Sequence, residues 1–148
     1  RADDDIGEET AHLSGRSNGQ FADIQWAPIR LINRPVPRAV LAGLYRASQV
    51  GLVTPLMDGM NLVAKEYIAA QNPENPGVLI LSKFAGAAEQ MEEALIVNPH
   101  DTEQMATSML TALLMSLSER RERYHALMKG LTTHDVHWWS KAFLTALR

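Results

Sequence analysis

The sequence predicts an α/β domain: a parallel sheet covered by helices on both faces. Three observations carry that expectation. Unbroken apolar runs recur at Val50–Thr54, Val78–Leu81 and Leu95–Val97. Stretches with helical spacing lie between and after them, and Gly, Pro and Asn punctuate the joins. A strand buried on both faces has no wet side to alternate with, so continuous apolar runs between helices point to a sheet covered twice.

The elements follow in order. Residues 1–20 are polar, with Gly15, Ser17, Asn18 and Gly19 close together. They read as a helix tail and loop, or as disorder. A second segment, 21–148, carries the domain. Ile29, Leu31 and Ile32 predict a first strand ending before Pro35. Pro37 suits the first turn of a helix, where its missing N–H is no loss. Val40, Leu41, Leu44 and Tyr45 place that helix over Arg38–Ser48. The strand Val50–Thr54 precedes a turn at Pro55–Asn61 and a helix over Leu62–Ala70. The breaker-rich stretch Gln71–Gly77 leads to Val78–Leu81. A short helix over Gly86–Glu93 and the strand Leu95–Val97 come next. Asp101 with Gln104, and Ser116 with Glu119, are spaced as capping boxes that open two further helices. An amphipathic helix closes the chain over His134–Leu147, its Trp138 and Trp139 expected to pack at the core and rim.

Composition narrows the chemistry. With 148 residues, 46% apolar and 21% charged, the chain suits a globular domain. A formal net charge of −3 disfavours nucleic acid or an anionic membrane as a partner. Arg120, Arg121 and Arg123 read as the wet face of a helix. There is no cysteine, which removes thiolate chemistry and disulfides. The five histidines show no metal spacing, so no metal is expected. No apolar run is long enough to cross a membrane, the first residues are unlike a signal peptide, and a cytoplasmic location is expected. A polar start at Arg1 suggests a piece of something longer.

In open parallel sheets ligands sit beyond the carboxyl ends of the strands, which directs attention to the loops after Asn33, Thr54, Leu81 and Val97. The second reads Pro55-Leu56-Met57-Asp58-Gly59-Met60-Asn61 and opens a helix at Leu62. The first amides of a helix lack partners within it, and the helix dipole adds positive character, so an anion fits there. Alternatively Asp58 simply caps the helix. Glu66, one turn beyond Leu62, can face the same crevice or stand as a solvated helix residue. The loop Ser82-Lys83-Phe84-Ala85-Gly86-Ala87 reads as an ordinary β–α connection.

The segment Asp58-Gly59-Met60-Asn61-Leu62-Val63-Ala64-Lys65-Glu66-Tyr67 resembles the signature of the trehalose-6-phosphate synthase family, which are UDP-forming retaining glycosyltransferases. The likeness extends to Ala42-Gly43-Leu44-Tyr45, Gly51 to Leu56, Ser82, Phe84 to Ala87, Asn98-Pro99, His137-Trp138 and Phe143, covering about residues 15 to 148. It implies a Rossmann-like domain, the C-terminal and donor-binding half of a B-type two-domain enzyme, and incomplete here. It implies glucose transfer from UDP-glucose to glucose 6-phosphate, without a metal or other cofactor.

By that resemblance Asp58, Gly59, Met60 and Asn61 would line the glucose hydroxyls, and the Leu62 and Val63 amides would meet the diphosphate. Ala64 and Lys65 would complete the UDP site, with Glu66 on the ribose and the Val36 main chain on the uracil. No side chain would act as nucleophile or acid/base. Glucose 6-phosphate would come through the other domain, whose absence would leave apolar surface to be covered by that half or by a second copy. The family's diphosphate-neutralising Arg and Lys would lie upstream of Arg1. Met57, Lys83 and Ser17 depart from the usual residues. A non-catalytic nucleotide-binding module, or a related B-type enzyme with another donor or acceptor, are the competing readings.

Overall fold

The computed structural model describes residues 2–134 and 136–147. It separates into two compact units, Arg1–Val36 and Pro37–Arg148.

The first unit is built on α1 (Ala2–Phe21). The helix runs straight through Gly15–Gly19, where a loop was expected. Beyond it, Asp23 Oδ1 accepts from the amides of Gln25 and Trp26, both at 2.8 Å, and shapes a turn. The expected strand at Ile29, Leu31 and Ile32 does not form. No ladder neighbour lies beside it among the described residues, and the Asn18 side chain takes its place. Asn18 Oδ1 accepts from the Ile29 amide at 3.0 Å while its Nδ2 donates to the Ile29 carbonyl at 2.9 Å. Apolar, β-branched residues favour a strand only when a neighbour completes the ladder.

The second unit contains α2 (Arg38–Ala47), β1 (Val50–Val53), α3 (Leu62–Ala70), β2 (Val78–Ser82), a 3₁₀ turn (Gly86–Gln90), β3 (Leu95–Val97), α4 (Thr102–Leu114), α5 (Leu117–Thr133) and α6 (Val136–Ala146). The strands are parallel in the order β1-β2-β3, with Val50 opposite Val78 and Ile80 opposite Leu95. Every residue of β2 is buried. Its side chains alternate between two cores, as the strand period of two requires. Leu79 and Leu81 pack with Ala64, Tyr67 and Ile68 of α3 and with Tyr124 and Leu127 of α5. Val78 and Ile80 pack on the other face with Val97, Ala112 and Met115. Each such aliphatic side chain contributes about 1.5–3 kcal/mol when fully buried. The helices do cover both faces.

Polar side chains lock the joints. Tyr67 donates its phenol proton to the Ser48 carbonyl at 3.1 Å, and burial pushes its pKa upward. A Cβ on Gly51 would come within 2.8 Å of the Tyr67 ring, and one on Gly77 would overlap its hydroxyl, so both positions exclude a side chain. Gln71 donates to the Tyr45 carbonyl at 2.6 Å and accepts from the Gly77 amide at 2.8 Å. The three arginines of α5 are moorings as well as a polar face. Arg120 donates to Asn75 Oδ1 and the Pro76 carbonyl, Arg121 to the Glu74 carbonyl and carboxylate, and Arg123 to the Glu93 carbonyl. Arg123 also pairs with Glu119 one turn back, at 2.9 Å.

Both predicted caps form: Asp101 accepts from the Gln104 amide and Ser116 from the Glu119 amide. Gln104 reaches back to the Asn98 amide at 2.7 Å. The expected helix Gly86–Glu93 contracts to the 3₁₀ turn. None of the described residues of α6 is buried, so its tryptophans are not core residues. Trp139 stacks on Phe143 with ring centres 5.2 Å apart, and Trp138 meets His134 edge-on at 4.4 Å. No helix among the described residues is long and apolar enough to cross a membrane.

Candidate functional site

The loop after β1 and the loop after β2 leave the same end of the sheet and run side by side. Asp58 and Ala85 form an isolated parallel bridge. The Asp58 amide donates to the Phe84 carbonyl at 3.2 Å, and the Gly86 amide donates to the Asp58 carbonyl at 2.9 Å. The Ala87 amide then donates to the Met60 carbonyl at 2.8 Å. The second loop is thus a partner of the first, not the ordinary connection its sequence suggested. The signal was present in Gly86, which follows a strand and opens a turn.

Within the first loop, Asp58 and Asn61 form a latch. Asp58 Oδ1 accepts from the Met60 amide at 3.1 Å and the Asn61 amide at 3.0 Å. Its Oδ2 accepts from Asn61 Nδ2 at 2.9 Å. The Met60 amide first, then the Asn61 side chain, and last the Asn61 amide hold the Asp58 carboxyl below its ordinary pKa, while burial opposes them. Asn61 caps α3 through Oδ1, which accepts from the Ala64 amide at 2.9 Å. Its φ of 67° lies in the left-handed region, and among the described residues no other non-glycine residue has a positive φ. Asn tolerates this conformation better than most residues, at a cost that neighbouring contacts must offset.

The latch divides the amides at the start of α3. Ala64 N–H is taken by Asn61. Among the described residues, no acceptor meets the amides of Leu62 and Val63. Two donors at the positive end of a helix dipole therefore remain for an anion.

A cavity of about 670 Å³ opens beside this point. Gly59, Met60, Leu62 and Lys65 line one side, Gly86 and Gln90 another, and Trp138 and Trp139 a third. Lys65 Nζ donates to Gln90 Oε1 at 3.2 Å. The other expected site residues lie elsewhere. Asp58 and Asn61 form the latch. Ala64 is fully buried and offers the site no side-chain surface. Val63 is exposed at the helix start. Glu66 is exposed on the flank toward Tyr45, whose phenol pKa is raised first by burial and then by the Glu66 charge. Val36 belongs to the first unit. Among the described residues, no group of three or more His, Asp or Glu is arranged to hold a metal ion.

The chain is similar over nearly its whole length to proteins of known name. Trehalose-6-phosphate synthase of Sinorhizobium fredii is 56% identical over 137 residues, which is 93% of this chain and 30% of that protein. The Klebsiella pneumoniae protein of the same name is 48% identical over 97% of this chain and 30% of its own length. Among solved structures, the UDP-forming α,α-trehalose-phosphate synthase of Burkholderia xenovorans in complex with glucose-6-phosphate superposes with a TM-score of 0.94 at 50% identity, over 99% of this chain and 32% of that one. An E. coli trehalose-6-phosphate protein bound with UDP-2-fluoro glucose gives 0.93 at 46% identity, over 99% of this chain and 33% of that one. The chain spans about a third of the length of the relatives it matches. The parallel sheet, its paired loops and the match of residues 2–148 to the signature of Glycosyltransferase family 20 lead to one conclusion: this chain belongs to that family.

Proposed function

We propose that this chain is the donor-binding, C-terminal half of a retaining glycosyltransferase that moves glucose from UDP-glucose to glucose 6-phosphate, releasing trehalose 6-phosphate and UDP. The observation that carries the reading is the pair of unclaimed amides at Leu62 and Val63, held in place by the latch before them. The names and ligands of the similar proteins support it.

In this reading the diphosphate sits at the Leu62 and Val63 amides. As the bond from sugar to diphosphate breaks, negative charge grows on the leaving oxygen. Fixed amide dipoles stabilise that charge without rearranging, which is the most effective electrostatic arrangement for such a step. Gly59 and Met60 offer main-chain groups to the glucose hydroxyls. Asp58 spends most of its acceptor capacity on the latch, and one lone pair of Oδ2 remains for a sugar hydroxyl. Glu66 accepts from the ribose hydroxyls, and the Ala64 and Lys65 backbone follows the nucleoside. The acceptor attacks on the face the leaving group departs from, so no residue here serves as nucleophile or acid/base. The reading assigns no metal or other cofactor, no nucleic acid and no membrane partner to the chain. It places the protein in the cytoplasm, with glucose 6-phosphate held by the other half and a second copy as a further partner.

The test is titration of UDP into the enzyme carrying this chain. Glu66→Gln should weaken UDP binding about tenfold, the loss of a charge-assisted hydrogen bond worth about 1.5 kcal/mol. Trehalose 6-phosphate should form with the whole enzyme and not with these 148 residues alone. UDP seated away from the start of α3 in a bound structure would sink the reading.

A further inference from the structure

We propose that Gly86 is a positioning residue that sets where the loop 58–61 stands, and through it the main-chain groups that face the sugar; the catalytic part of this rests on the donor-site reading above. Three hydrogen bonds grip that loop from one side, at Asp58 twice and at Met60 once. Gly59 lies between the grips. There, a Cβ on Gly86 would overlap the Gly59 carbonyl oxygen and stand 2.9 Å from its carbon. A Cβ on Gly59 would meet nothing within 4 Å, so the intimacy is demanded of Gly86 alone. Gly86 has no positive φ. What excludes a side chain there is contact distance, not backbone conformation.

The direction of yielding is also fixed. The residues beside Gly86, Ala85 and Ala87, are each 2% exposed and belong to the α3–α5 core. The facing loop carries Met57 at 90% and Met60 at 43% exposure. A methyl group added at Gly86 therefore displaces the loop 58–61 and leaves the 3₁₀ turn in place. The sugar-facing backbone of Gly59 and Met60 moves, while Glu66, a turn up α3, does not. Misplacing groups at a reacting centre by a fraction of an ångström to an ångström lowers turnover by about tenfold to a hundredfold. The Leu62 and Val63 amides belong to α3 and the nucleoside end keeps its contacts, so binding of UDP itself changes little.

The experiment uses the enzyme carrying this chain. Gly86→Ala should lower kcat at least about tenfold, while Kd for UDP stays within about twofold. Amide exchange across Asp58–Asn61 in the ligand-free protein should quicken in the same variant. Gly43→Ala, whose Cβ on α2 meets open space, is the control and should keep wild-type kcat. Ala87→Pro, which deletes the N–H given to Met60, should repeat the effect if Gly86→Ala does not fold. A folded Gly86→Ala with wild-type kcat overturns the proposal. So do equal losses of kcat and UDP affinity with unchanged exchange, or failure of both variants to fold. If the unmodified enzyme binds no UDP, the donor-site reading falls, and the exchange rates still decide whether Gly86 sets the loop.

Discussion

Two helices of this molecule begin on similar sequence signals and in different ways. At α4 the cap Asp101 has an ordinary extended φ of −105°, accepts from the Gln104 amide, and passes its own carbonyl to Met105 at 3.0 Å. At α3 the cap Asn61 is left-handed, accepts from the Ala64 amide, and is itself held by Asp58. The first is a helix start at rest. The second adopts a costly backbone and needs an outside brace to keep it. Strain of this sort, overdetermined by its surroundings, is characteristic of places where geometry serves a ligand.

The difference can be broken from either end. The largest effect is expected at Asn61. Asn61→Val removes the cap and puts a β-branched residue at positive φ, costing about 2–4 kcal/mol of stability by denaturant titration, and turnover should fall about a hundredfold. Asn61→Gly accepts that φ freely and loses only the side-chain bonds, so its stability should lie within about 1 kcal/mol of wild type. If the two variants behave alike, strain is irrelevant to the site. Asp101→Ala should cost about 1 kcal/mol of stability and leave the Kd for UDP unchanged in calorimetry, because the hydrogen bonds of Asp101 go to Asn98, Gln104 and Met105 and not to the latch. The smallest effect is that of pH. Because the folded-state pKa of Asp58 is depressed, the latch is intact above the ordinary carboxylate pKa of about 4 and is lost as pH falls through the lower folded value. UDP affinity, once corrected for ligand protonation, should hold flat from neutrality to about pH 4 and decline only below it. In Asp58→Asn that acid limb should vanish.

What the sequence disclosed and what it hid follow from range. The strands Val50–Val53, Val78–Ser82 and Leu95–Val97, and the caps at Asp101 and Ser116, were legible, but the unbroken burial expected of the strands holds for Val78–Ser82 alone, with Leu52 of β1 47% exposed. So was the segment Asp58–Tyr67, whose composition is specific enough to carry a family resemblance. Ile29 to Ile32 had strand chemistry but no ladder neighbour, and Asn18 claimed its backbone. The helix through Gly15 and Gly19 contradicts local propensity. The pairing of Asp58 with Ala85, and the need for a bare Gly86 between the loops, arise only when two distant turns meet in space. Arg120, Arg121 and Arg123 were read as a polar face because their acceptors are main-chain carbonyls, which no residue identity announces.

Those arginines separate two fates in acid. A guanidinium keeps its charge throughout the usable range. The carbonyls of Glu74, Pro76 and Glu93 do not titrate, so the attachment of α5 through them is insensitive to acid. The Asp58 latch has no such insurance. On acidification the scaffold should therefore outlast the site, giving a reversible inactivation that precedes denaturation.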